Sequence, residues 1–128
     1  MNVLDENIID SQRQQLLARG IRVKQIGYEI GRKSMKDRNG IIPLLHQQRR
    51  PTFFTRDADF YDPKLRHAGY CLVYLDVHEN EAAEYIHRLL RHPTFRTQAQ
   101  RMGKVIRVRP GRLNVWQVSE KVEQVVAW

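Results

Sequence analysis

The chain has 128 residues and a formal net charge of +8, from 22 Lys and Arg against 14 Asp and Glu. At this length one domain spanning 1–128 is expected, large enough to bury about two-thirds of the surface its unfolded form exposes, and the single cysteine, Cys71, excludes an internal disulfide framework. The apolar runs are too short to cross a bilayer, and the N-terminus has neither a basic start nor an apolar signal core, so a cytoplasmic protein without membrane association is the expectation.

Strands alternate with helices along the chain, the pattern of an α/β fold built on a mostly parallel sheet flanked by helices. Residues 2–4 form a first strand. IIDSQRQQLLARG then reads as a helix, with Ile9, Leu16 and Leu17 apolar and Gly20 just beyond its C-cap. IRVKQI is a second strand, followed by a loop over residues 27–39 rich in Gly, Lys and Arg. The next helix carries Ile41, Ile42, Leu44 and Leu45, with Pro43 expected in its first turn, where a missing N–H costs nothing.

TFFT and YCLVYLD are apolar on successive residues, as strands covered on both faces should be, and are expected at the sheet centre. The apolar setting of Cys71 within YCLVYLD suits a buried thiol rather than a nucleophile, and Phe54 and Phe60 read as core. ENEAAEYIHRLLRH places Ala82, Ala83, Ile86, Leu89 and Leu90 at helical spacing, with acids at its start and bases at its end that complement the helix dipole. KVIRVRPGRLNVWQV alternates about Pro110-Gly111 and reads as a hairpin or two edge strands closing the sheet, and SEKVEQVVAW as a short helix covering it.

Two short apolar runs end in acid: VLDE, with Asp5 and Glu6, and TFFTRDAD, with Asp57 and Asp59. In an open parallel sheet, ligands bind beyond the carboxyl ends of strands. In an extended backbone, Asp57 and Asp59 would face the same side, whereas Asp5 and Glu6 would point apart unless the chain turns there, which makes Asp5 the preferred ligand of that pair. Carboxylates crowded in a cleft repel one another, and a hard divalent cation such as Mg²⁺ or Mn²⁺ relieves that repulsion. Asp62, before Pro63, reads as a turn and cap former. Residues 85–119 contain no acid but hold Arg88, Arg91, Arg96, Arg101, Lys104, Arg107, Arg109 and Arg112, a one-sign stretch suited to a polyanion. Metal-assisted phosphodiester hydrolysis joins the two features.

With these residues the chain resembles the PIN-like nuclease superfamily, particularly its small single-domain branch of toxin-like proteins from prokaryotic toxin–antitoxin pairs. LDEN at 4–7 and TRDADF at 55–60 carry the resemblance, and GKVIRVRPGRLNV at 103–115 looks like that branch's closing strands. The resemblance implies a Mg²⁺- or Mn²⁺-dependent endoribonuclease that acts on RNA, is inhibited by a cognate antitoxin, and can form a homodimer. It assigns Asp5 to the first-strand acid of the metal site, with Glu6 beside it, and Asp57 and Asp59 to the pair after the strand that carries Thr55. Thr55 would orient a carboxylate or a metal-bound water. A further acid near the start of the intervening helix matches Asp37 best, with Glu29 as its rival, since Gly40 and Pro43 disturb that helix start. Arg56, Lys104, Arg107 and Arg109 are the expected phosphate contacts. Two other readings compete: a non-catalytic binding module on the same fold, and a phosphoacceptor receiver domain using Asp57, against which Lys104 opens its strand instead of closing it.

Overall fold

A computed structural model of the chain describes residues 1–35 and 38–128. Its strands are β1 (Asn2–Leu4), β2 (Lys24–Gln25), β3 (Thr52–Thr55), β4 (Cys71–Leu75), β5 (Lys104–Val108), β6 (Leu113–Gln117) and β7 (Gln124–Val126). They form one seven-stranded sheet in the order β2-β1-β3-β4-β5-β6-β7. The first five of that order run parallel, while β6 and β7 are antiparallel to their neighbours. The fold class is therefore α/β with a mostly parallel sheet, and TFFT and CLVYL lie at its centre.

Alternation along the strands explains why they are apolar on successive residues. Leu4, Phe54, Val73 and Ile106 join one core cluster with Leu16 of α1 (Asp10–Ala18) and Ile86 and Leu89 of α3 (Ala82–Arg91). Val3, Phe53, Leu72 and Val105 join the other, with Ile41 and Leu45 of α2 (Arg38–His46). Both faces of the sheet are thus covered, and a polar residue in the middle of β3 or β4 would lose a core contact on one side or the other. Phe60 and Cys71 are buried as expected, and burial pushes the Cys71 thiol up to about 12, far from a reactive thiolate. Gly20 follows the C-cap of α1 with φ 75°, the left-handed turn that glycine adopts without a Cβ penalty.

Three expectations need correction, and one further element was not expected. SEKVEQVVAW does not form a helix: its valines sit at helical spacing, but β6 leaves a free edge, and Leu113, Asn114 and Val115 take Val126, Val125 and Gln124 as partners. Adjacent β-branched residues favour that extended pairing. IRVKQI contributes only Lys24 and Gln25 to the sheet. Pro43 lies inside α2 rather than in its first turn. The carbonyl its nitrogen cannot serve belongs to Asn39, which is exposed and open to water. A fourth short helix, α4 (Gln98–Arg101), precedes β5 and carries a Thr97–Gln100 capping box that the sequence reading passed over.

Candidate functional site

From β1 the chain passes to β2 on one side of the sheet, and after α2 it returns to β3 on the other. The order 2-1-3-4-5 therefore has its switch point between the carboxyl ends of β1 and β3, where open α/β sheets hold their ligands. A cavity of about 460 Å³ opens there, lined by Asp5, Glu6, Asn7 and Asp57.

Asp5 follows β1 directly and is buried, only 4% exposed. Thr55 Oγ1, at the end of β3, donates to Asp5 Oδ2 at 2.6 Å, and the Glu6 amide donates to Oδ1 at 2.7 Å. Burial drives the Asp5 carboxyl up to about 6; these two hydrogen bonds pull it back, and the charges of Asp57 and Glu6 push it further up. The chain turns immediately afterwards, with Ile8 N donating to Asp5 O at 3.1 Å. Gln25 of β2 fixes that turn, since its buried Nε2 donates to the carbonyls of Asp5 and Ile8 at 3.0 and 2.8 Å. Because of the turn, Glu6 also reaches the cavity, where its Oε1 accepts from the Ser34 amide at 2.8 Å.

The backbone is still extended at Asp57 but turns into a 3₁₀ helix at Ala58, so strand alternation does not align Asp57 with Asp59. Asp57 is the N-cap of a 3₁₀ helix (Ala58–Phe60): its Oδ1 accepts from Asp59 N at 2.9 Å, while its own amide donates to Thr55 Oγ1 at 3.0 Å. It both caps and lines the cavity. Asp59 is exposed and does not line it. Asp62 caps a second 3₁₀ helix (Pro63–Leu65) by accepting from Lys64 N, as the turn reading expected, and pairs with Arg38 at 2.8 Å.

The basic residues separate into different places. Arg56 turns its guanidinium to Val77 O at 3.2 and 3.4 Å, beside the carboxyl end of β4. Arg107 holds Asp76, just past β4, through Nε and Nη2 at 3.0 and 2.6 Å. Arg109 follows β5 on the same edge. Lys104 starts β5 and so lies at the opposite, amino edge, where its Nζ donates to Gln100 O; it cannot share a ligand with Asp5 across the length of the sheet. Arg101 is buried, and Arg88 stacks over the Trp128 ring at 4.4 Å, so residues 85–119 do not present one continuous cationic face.

Asp37 lies outside the described residues. Glu29 pairs with Arg13 and accepts from Gln25 N at 3.0 Å; despite some desolvation, these partners hold its carboxyl below the usual range, as befits a structural ion pair. Three contributors escaped the sequence reading. Asn7, inside LDEN, donates to Thr55 Oγ1 at 3.4 Å and accepts from Arg56 N at 3.3 Å, tying the two strand ends together. Gln25 is a polar residue within a strand pattern, and Asp76 closes YCLVYLD as a third acid at a strand end, a signal as visible as the other two.

Among the described residues no three His, Cys, Asp or Glu side chains form a group able to hold a metal ion. The chemistry of the cavity still fits a hard divalent cation: its polar lining is all oxygen donors plus one amide, its two central carboxylates repel each other, and Mg²⁺ is commonly held by one or two carboxylates with water completing the shell. Compared with protein-family models, with curated proteins and with solved structures, the chain matches none of them.

Proposed function

We propose that the chain is a Mg²⁺- or Mn²⁺-dependent endoribonuclease of the PIN-like kind, the toxin member of a toxin–antitoxin pair. The observation that carries this reading is Asp5, a buried carboxylate with an elevated pKa that faces Asp57 across an open cavity at the switch point of the sheet. Asp5 and Asp57 hold the ion, with Glu6 at the cavity wall. Thr55 keeps Asp5 in one orientation through its hydroxyl. Arg56 and Arg109, on the same edge, meet phosphates of the RNA, while Arg107 approaches them with its charge already offset by Asp76. The chemistry supplied by the ion when bound is activation of a water and neutralisation of charge on the scissile phosphate. No nucleophilic side chain is required, in keeping with a buried Cys71. A protein antitoxin silences the enzyme in the cytoplasm by covering the carboxyl edge, and a homodimer belongs to the same reading.

The test is cleavage of a mixed RNA pool by purified protein with Mg²⁺, with Mn²⁺ and with chelator. Metal-dependent cleavage that disappears in Asp57→Asn is expected. Asp59→Asn is the sharper probe, because an exposed carboxylate outside the cavity lining should matter less than Asp57. Cleavage unaffected by chelator, or by Asp57→Asn, overturns the reading.

The sheet order favours one second reading, since 2-1-3-4-5 is also the flavodoxin-like order shared by phosphoacceptor receivers. Asp57 would then accept a phosphoryl group. The location of Lys104 at the amino edge argues against it, and labelling of Asp57 by acetyl phosphate would decide in its favour.

A further inference from the structure

We propose that the loop over residues 27–34 is a single-strand grip, in which Tyr28 stacks a nucleobase of the RNA whose scissile phosphate lies at Asp5 and Asp57. This rests on the ribonuclease reading and adds to it a base-binding residue outside the carboxylate cavity.

Tyr28 is 58% exposed and, among the described residues, is the only aromatic of the large apolar side chains left exposed, so the fold draws little from its ring. The ring is nevertheless held. The Arg13 guanidinium lies over it, 5.3 Å from its centroid. Arg13 is in turn pinned by Glu29, and the second carboxylate oxygen of Glu29 accepts from Gln25 N at 3.0 Å. This chain of contacts runs from an exposed ring back into the sheet, through the same Gln25 whose side chain fixes the turn after Asp5. A ring backed by a cation on one side and open to water on the other is a ready surface for a base, and it loses little freedom when one stacks.

The loop is also anchored to the cavity wall. Gly27 has φ 87°, and a Cβ at that position would meet Glu6 Oε2 at 2.5 Å, so the backbone just before Tyr28 lies against a cavity-lining carboxylate. The other Glu6 oxygen accepts from Ser34 N at the far end of the loop. Between these two anchors come Arg32 and Lys33, both exposed, placed to meet phosphates flanking the stacked base. An aromatic platform with cations beside it is the arrangement that grips single strands without reading sequence. Bases inside a duplex are already stacked on both faces and cannot use it.

The experiment measures binding by the full chain in chelator, so that nothing is cleaved. The probes are a short oligouridine carrying one 2-aminopurine and an RNA duplex of matched length. For Tyr28→Ala, single-strand affinity is expected to fall about 10-fold, with loss of the 2-aminopurine quench, unchanged duplex affinity and an unchanged Tm. Tyr28→Trp should retain both affinity and quench. Wild-type affinity in Tyr28→Ala, or equal losses on both probes, overturns the grip and leaves the ribonuclease reading standing. A wild-type chain that neither binds nor cleaves RNA overturns both.

Discussion

The two ends of β3 each bury a charge beside a threonine, and they do so to opposite effect. At the carboxyl end Asp5, 4% exposed, receives a hydrogen bond from Thr55; at the amino end Arg101, 5% exposed, gives one to Thr52 at 2.9 Å. Arg101 also donates to the carbonyls of Phe95 and Arg96 at 2.9 and 3.0 Å, and among the described residues it forms no ion pair with a carboxylate. Its charge is spread over neutral acceptors inside the core, and it works as a clamp joining α4 to β3. Asp5 instead borders a cavity, with other carboxylates raising its pKa further. A buried charge alone therefore does not mark a site. The mark is a buried charge with repelling neighbours and open space before it.

Three experiments can break or sharpen that contrast. The largest effect is expected from Asp5→Asn. Loss of a direct ligand should cut metal-dependent cleavage by more than ~100-fold, the upper end of what removal of an outer partner costs. Its stability should change in the other direction. The Asp5 carboxyl is raised from 3.8 to about 6 on folding, so its contribution to stability is complete below pH 3.8 and is lost as pH rises through about 6. In the metal-free wild type that loss is about 3 kcal/mol. Urea unfolding across this range should show the step, and Asp5→Asn should lack it. A wild-type curve that is flat between pH 4 and 7 would mean that burial and its carboxylate neighbours do not raise the Asp5 carboxyl.

Arg101→Met should produce the reverse profile. Thr52 and two backbone carbonyls lose their donor inside the core, which costs about 3 kcal/mol in denaturant unfolding. Cleavage per folded molecule should be unchanged, and a large loss of it would show that the two ends are coupled. The smallest effects belong to the threonines. Thr55→Val removes a donor from Asp5, so the pH step should move upward and cleavage should fall about 10-fold, as for an outer partner of a metal ligand. Thr52→Val should cost about 1 kcal/mol of stability and leave the pH step in place. Identical behaviour of the two valine variants would erase the distinction.

The parallel core was legible because its signals are local and redundant. TFFT and CLVYL are apolar on both faces, Gly20 ends α1 where it should, and the apolar stripe of α3 is set at helical spacing. That Asp5 and Asp57 would share one edge could be read because strand ends in a parallel sheet have a defined side. Other features depend on partners far along the chain. Nothing in SEKVEQVVAW reveals that β6 offers a free edge, so a helical spacing of valines misleads. The even spacing of Asp57 and Asp59 misleads too, because the Asp57 side chain caps a 3₁₀ turn and thereby ends the alternation on which the inference depended. Basic residues were read as a linear stretch, yet a strand divides them between two edges of the sheet: Lys104 enters at one and Arg109 leaves at the other.

Asp5 and Thr55 are 50 residues apart in sequence, and their hydrogen bond joins strands that are adjacent in the sheet but not consecutive in the chain. Closing so long a loop is slow and gains nothing until β3 docks beside β1. The first folded hairpin or helix cannot contain the cavity, because Asp57, the wall opposite Asp5, Glu6 and Asn7, arrives only with the strand that completes the centre of the sheet. In a refolding experiment, metal-dependent activity should thus return in step with sheet closure and never ahead of it, and a cleaved N-terminal fragment ending before Thr55 should carry LDEN without any cavity for it to face.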